Sequence, residues 1–187
     1  RERMTPVQMK KIEKAASSVI DCFSEGLEGH VDTACKIIEE GDFDADELVV
    51  AGDLTVDKAE HTAQLVNRMS RSIRKVSRNK RVIILKGNHD YFSEEHPFFE
   101  FLGDVPGVTF VSVPTVIKLD NGYKAYFVPA GTNWNAYEFA IPSDIDFLFT
   151  HCTWHGSQVE NGSLLPGVDP GIVKDSGAYC FSGDVHV

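Results

Sequence analysis

Cysteine is scarce in this chain, and none of it is paired in sequence. Cys22, Cys35, Cys152 and Cys180 form no C-x-x-C motif. That spacing supports neither a zinc knuckle nor a dense disulfide framework, so reduced thiols in a cytosolic protein are the expectation. Long apolar runs are also missing. No uninterrupted stretch is long enough to span a bilayer. The polar opening from Arg1 to Lys11 has no apolar h-region, so no signal peptide is expected. Positive charge is in deficit: 18 Lys and Arg stand against 28 Asp and Glu, a formal net charge of -10. That balance opposes a broad, non-specific grip on nucleic acid. It fits a carboxylate-rich site that holds cations. One stretch departs from it. Residues 68–81 carry Arg68, Arg71, Arg74, Lys75, Arg78, Lys80 and Arg81 and no acid. The solvated face of a helix or a contact with DNA phosphates would each account for such a run.

What is present reads as α/β. At 187 residues the chain can build one domain, 1–187, around one sizeable core. Met9, Ile12, Ala16, Val19, Ile20 and Phe23 recur at helical spacing and predict a helix over 6–25, with Thr5-Pro6 at its start. A second helix is expected near 31–40. Residues 47–51 and 82–85 are short, β-branched apolar runs, read as buried strands. Between them, 57–78 reads as a helix with Leu65, Met69, Ile73 and Val76 inward. Such alternation points to a sheet covered on both faces. Further strands are expected at 108–111, 116–119, 123–128, 145–150 and 178–181. Asn121-Gly122 is a two-residue hairpin signal between two of them. Glu95 to Phe99 reads as a helix start packing on the core.

Four of these strands run into polar, metal-competent residues. They are Gly52-Asp53; Gly87-Asn88-His89-Asp90; His151; and Gly183-Asp184-Val185-His186. Ligands of open α/β sheets collect at the carboxyl ends of strands. If the four strands share one sheet, Asp53, Asn88, His89, His151, Asp184 and His186 converge on one rim. Oxygen and imidazole donors of this mix suit manganese, iron or zinc. Taken singly each piece has a plain alternative. Gly-Asp after a strand can be a turn, and His151 can be a structural histidine. The conjunction and its order carry the argument.

That order, Gly-Asp, Gly-Asn-His-Asp, a lone His after a strand, then Gly-x-x-His, resembles the calcineurin-like metallophosphoesterases over about residues 47–187. The stretches GDLTVDKAEH, LVNR, KGNHDYFSEEHPFFEFL and SGDVHV look closest to the SbcD-like DNA repair exonucleases and related phage phosphoesterases. The resemblance implies a β-sandwich flanked by helices, in αββα layers, with the active site at the carboxyl ends of strands. It implies two divalent metal ions, manganese first, with zinc, iron or magnesium as alternatives. Asp53 would bridge both metals. Asn88, His151 and Asp184 would serve one and His186 the other. His89 would stand next to the leaving group, oriented by Asp90. The implied substrate is DNA or another phosphodiester, with a partner ATPase by analogy. The implied setting is the cytoplasm of a bacterial or phage-infected cell.

Two departures from the family pattern stand out. The family opens with Asp-x-His after its first strand, and none precedes Asp53 here. Asp21-Cys22-Phe23 is the nearest imitation and lies inside a helical pattern. Truncation at both ends is the simpler expectation. Asp184 also stands where the family usually has His. A carboxylate can still coordinate manganese or zinc, or Asp184 can be a turn residue. His61 is a further candidate for substrate contact. Trp134, Tyr137 and Phe139 could stack on a base or form a satellite core, and His155 with the loop 155–167 could rim the cleft. A phosphomonoesterase or cyclic-nucleotide phosphodiesterase, and a non-catalytic scaffold on the same fold, are the competing readings.

Overall fold

The computed structural model describes residues 47–55, 61–93, 96–136, 139–158 and 162–184. The helices expected over 6–25 and 31–40 lie outside them, as do Tyr137 and His186. Among the described residues the strands are β1 Glu47–Val50, β2 Arg81–Leu85, β3 Tyr91–Ser93, β4 His96–Pro97, β5 Val108–Val111, β6 Thr115–Lys118, β7 Lys124–Val128, β8 Phe147–His151 and β9 Tyr179–Gly183. Two helices join them, α1 Ala63–Val76 and α2 Gly171–Lys174, and a 3-10 turn covers Glu100–Asp104. No helix among these residues is long and apolar enough to cross a membrane.

The four carboxyl ends belong to two sheets, as the αββα sandwich implied by the resemblance requires. β1, β2 and β5 form a parallel sheet in the order β1-β2-β5. β6, β7, β8 and β9 form the other, parallel except for the antiparallel edge strand β6. The reason lies in strands that are apolar on both faces. In β2, Val82 and Ile84 join Met69, Ile73 and Val76 of α1, whereas Ile83 and Leu85 turn the opposite way. There they meet Ala125 and Phe127 of β7 and Phe147 of β8. The alternate residues of the second sheet, Tyr126, Val128 and Leu148, pack against Trp134, Phe139 and Val173 on its outer side. One helix-covered sheet therefore lies on another, an α/β sandwich of the αββα kind. Both sheets aim their parallel strands at one edge. There Ala130 N–H donates to the Lys86 carbonyl across the sandwich at 2.9 Å. At the opposite edge Arg81 pairs with Glu47 at 3.2 Å and with Asp120 at 3.6 Å.

Three local expectations are corrected. Helix α1 starts at Ala63, where Thr62 caps it: its side chain accepts the Leu65 N–H at 3.2 Å; the expected part over 57–60 lies outside the described residues. Arg74 and Lys75 in its last turn suit the negative end of the helix dipole. The β6–β7 connection is not a two-residue turn. Leu119 N–H donates to Tyr123 O at 2.8 Å and Gly122 N–H to Leu119 O at 2.9 Å. Gly122 has φ +88° while Asn121 is not among the positive-φ residues. A three-residue loop that needs left-handed backbone only at its glycine results. The helix expected from Glu95 is instead the short strand β4, antiparallel to β3. Phe99 after it is fully buried, so the expected packing holds without the helix. Of the basic run, Arg71, Arg74, Lys75 and Arg78 are exposed. Arg71 bonds its own helix at Asn67 O, and Arg81 is tied to Glu47.

Candidate functional site

Four of the expected ligands come together where β1, β2, β8 and β9 end. The His151 imidazole, 3% exposed, is the hub. Its Nε2 lies 3.2 Å from Asp53 Oδ2, 3.0 Å from Asn88 Oδ1 and 3.8 Å from Asp184 Oδ1. Its Nδ1 lies 2.7 Å from the Ala51 carbonyl oxygen. A carbonyl can only accept, so Nδ1 carries the hydrogen. Nε2 is the nitrogen turned toward the carboxylates, the arrangement that orients a metal-ligating histidine. Asp53 Oδ1 also accepts the His89 N–H at 2.9 Å, which fastens the Gly-Asn-His-Asp loop to the Gly-Asp loop. The Asn88 amide is best satisfied with its NH2 toward Asp53, 3.1 Å from each carboxylate oxygen, and 3.0 Å from His151 Nε2.

Glycine makes this approach possible. A Cβ on Gly87 would sit 2.2 Å from both the backbone N and Oδ1 of Asp53. One on Gly52, where φ is +94°, would sit 2.2 Å from His151 Nδ1. Backbone strain gathers at the same place. Among the described residues the only non-glycine positive φ values are 53° at Asp53 and 96° at Asp184. Such conformations cost about 1–3 kcal/mol each and persist where surrounding contacts fix them. For Asp184 one such contact is Thr153, whose Oγ1 donates to Oδ2.

Asp90, expected to orient His89, is held by backbone N–H groups of both loops. Fully buried, it accepts Leu54 N–H at 2.8 Å on Oδ1 and Gly87 N–H at 2.8 Å on Oδ2. It clamps the two metal-facing loops from beneath. Burial pushes its pKa up to about 6 against the pull of the Gly87 N–H, so it is ionised at neutral pH. Asp53 is held below the ordinary carboxylate value. Burial opposes its ionisation, but the hydrogen bond and charge of His151 and the His89 N–H outweigh burial. His151 is raised: burial works against its charge, yet Asp53, the Ala51 carbonyl and Asp184 together prevail.

Among the described residues, no three His, Cys, Asp or Glu side chains form a ready-made metal cage. The donor set nevertheless fits a divalent cation. Donor atoms about 2.1 Å from one cation and at right angles lie about 3.0 Å apart. Asp53, Asn88 and His151 already stand 3.0–3.2 Å from one another through Nε2. A cation held by Asp53, Asn88 and His151 would need the Asn88 amide to turn its oxygen inward, and the Nε2 lone pair is already aimed there. The ring of His61, a candidate for substrate contact, lies 4.2 Å from that of Phe98 and 5.3 Å from that of Phe99. His155 is exposed. The thiols of Cys152 and Cys180 are free and raised by burial to about 11. The roles of Thr153 and the Ala51 carbonyl escaped the sequence reading, since neither residue type marks a site. The glycine ahead of Asp53, Asn88 and Asp184 was the legible signal.

A family model described as calcineurin-like phosphoesterase matches residues 27–187. No curated protein matches the chain.

Proposed function

This chain belongs to the calcineurin-like phosphoesterase family, and from that premise we propose that it hydrolyses phosphodiester bonds, with DNA as its substrate. The family's chemistry is metal-dependent hydrolysis of phosphate esters, generally with two divalent metals. The observation that carries the reading is the convergence of Asp53, Asn88 and His151 on one point, with Asp184 at its margin. Bound there, divalent cations, manganese foremost, would neutralise charge on the phosphoryl group and lower the pKa of water. Asp53, Asn88, His151 and Asp184 would hold them, and His186 completes the proposed set. As water bonds to phosphorus and the ester oxygen departs, His89 gives that oxygen a proton. Its backbone is pinned to Asp53 for that purpose. Asp90 acts through the loops it clamps. Arg71 and Arg74 of α1 and Arg78 just after it are exposed, a basic stripe that a long polyanion could contact away from the site.

The test is manganese-stimulated hydrolysis of DNA and of bis(p-nitrophenyl) phosphate by the protein expressed from its complete reading frame. His89→Ala should abolish turnover while calorimetry shows manganese still bound. Turnover unchanged by His89→Ala removes the proton-donor role. A non-catalytic scaffold on the same fold is the competing reading. Failure to bind manganese at all would decide for it.

A further inference from the structure

We infer that the Trp134–Trp154 pair is a stacking wall for a nucleobase of the substrate, set beside the site of phosphoester cleavage. The inference rests on the phosphodiesterase reading and names where the organic part of the substrate goes. Both residues lie in loops at the edge toward which β7 and β8 run. Trp134 lies in the loop after β7 and Trp154 in the loop after β8. Trp154 directly follows Thr153, the residue that holds Asp184. Consecutive Cα atoms are about 3.8 Å apart, so the Trp154 backbone lies beside the residue that supports the cluster.

The two rings differ in how they are supported. Trp134 leans on the outer core through Phe139, 4.9 Å away. Trp154 is not part of that core cluster. It is carried by a hydrogen-bonded flap instead. Trp154 bridges Val168, His155 N–H donates to Val168 O at 2.8 Å, and Val168 N–H donates to Thr153 O at 2.9 Å. Gly167 lets the strands of this flap close: a Cβ there would stand 2.2 Å from Thr153 O. The indoles meet edge to face, 5.6 Å between centroids and 66° between planes. Edge-to-face contact leaves ring faces that the partner does not cover, and both tryptophans are only half-buried. A half-buried indole held by these hydrogen bonds, one residue from a ligand's support, is placed to meet a planar ring. In a protein of net charge -10, stacking offers a hold on a nucleotide that does not depend on charge.

The chain has two tryptophans, and both are in this pair, so intrinsic emission reports on it directly. Titration of the protein with thymidine 5′-monophosphate should quench that emission saturably, and ribose 5-phosphate should not. By calorimetry, Trp154→Ala should weaken thymidine monophosphate binding about 5- to 150-fold, whereas Trp154→Phe should stay within a few-fold. Equal responses to the two phosphates, or unchanged affinity in Trp154→Ala, overturns the inference. If Trp154→Ala does not fold, Trp134→Phe decides, with Trp154 as sole fluorophore. Retained base-dependent quenching supports the wall and its loss rejects it. Metal-stimulated hydrolysis of bis(p-nitrophenyl) phosphate is read in parallel. Hydrolysis without base-dependent quenching sinks the stacking wall alone, and quenching without hydrolysis sinks the phosphodiesterase reading alone.

Discussion

Gly87→Ala isolates the packing that brings the metal-facing loops together. Its added Cβ would stand 2.2 Å from Asp53 N and Oδ1 and 3.0 Å from Asp53 Cα. Ordinary contact begins near 3.4 Å, so the two loops must part by about 1.2 Å. The backbone of one loop and a ligand of the other are what collide, so no flexible side-chain end can swing away. The bonds that cross this seam are short. His89 N–H to Asp53 Oδ1 is 2.9 Å and Leu54 N–H to Asp90 Oδ1 is 2.8 Å. Stretched by that amount, neither persists. Hydrogen bonds to charged groups contribute about 1.5–3 kcal/mol each. With partial relaxation the variant should lose about 2–4 kcal/mol, within the 5–15 kcal/mol typical of a folded domain. Misplacing a reacting group by about 1 Å can cost about 100-fold in rate, and manganese affinity should fall with it. The assay is urea unfolding without metal, followed by calorimetric manganese titration and turnover. Gly103→Ala is the control, because its Cβ would meet Phe110 Cβ at 3.5 Å with no strain. If Gly87→Ala matches Gly103→Ala in midpoint and in manganese affinity, the loops are not in contact and the geometry is wrong.

Two further perturbations test the supports of the site. Thr153→Val removes the donor to Asp184 Oδ2 while keeping shape. Loss of such a support typically costs about 10- to 100-fold in metal affinity, read by competition with a metallochromic dye, while the unfolding midpoint should barely move. Asp90→Asn leaves one of the two buried N–H groups facing an amide NH2, so it should destabilise the metal-free protein by about 1–3 kcal/mol at low pH. It should also change the pH profile. The Asp90 pKa is raised from 3.8 to about 6 by burial, so the native state holds this proton more tightly than the unfolded chain. Its ionisation therefore subtracts stability as pH climbs through that window, and below 3.8 the subtraction is absent. The stability gap between parent and variant, measured in urea at several pH values, should narrow as pH rises from about 4 to about 6. A constant gap would show that Asp90 is not held in an apolar setting.

Much of this protein was legible in the order of its residues. Short apolar runs identified β1, β2, β5, β7, β8 and β9 to within two residues, most plainly in β2, where four successive apolar side chains are buried on both faces. The Gly-Asp and Gly-Asn-His-Asp turns were visible because glycine must precede a ligand where backbones nearly touch. Tertiary structure alone decided the rest. It divided the strands between two sheets, since periodicity tells which faces are apolar and not what covers them. It gave His151 its tautomer through Ala51, 100 residues earlier, and it made Asp90 a clamp on Leu54, 36 residues earlier. It set Trp154 against Trp134. A hydrogen bond or ring contact between distant residues leaves no trace in local spacing, because either partner alone satisfies the same pattern as a solvated loop residue.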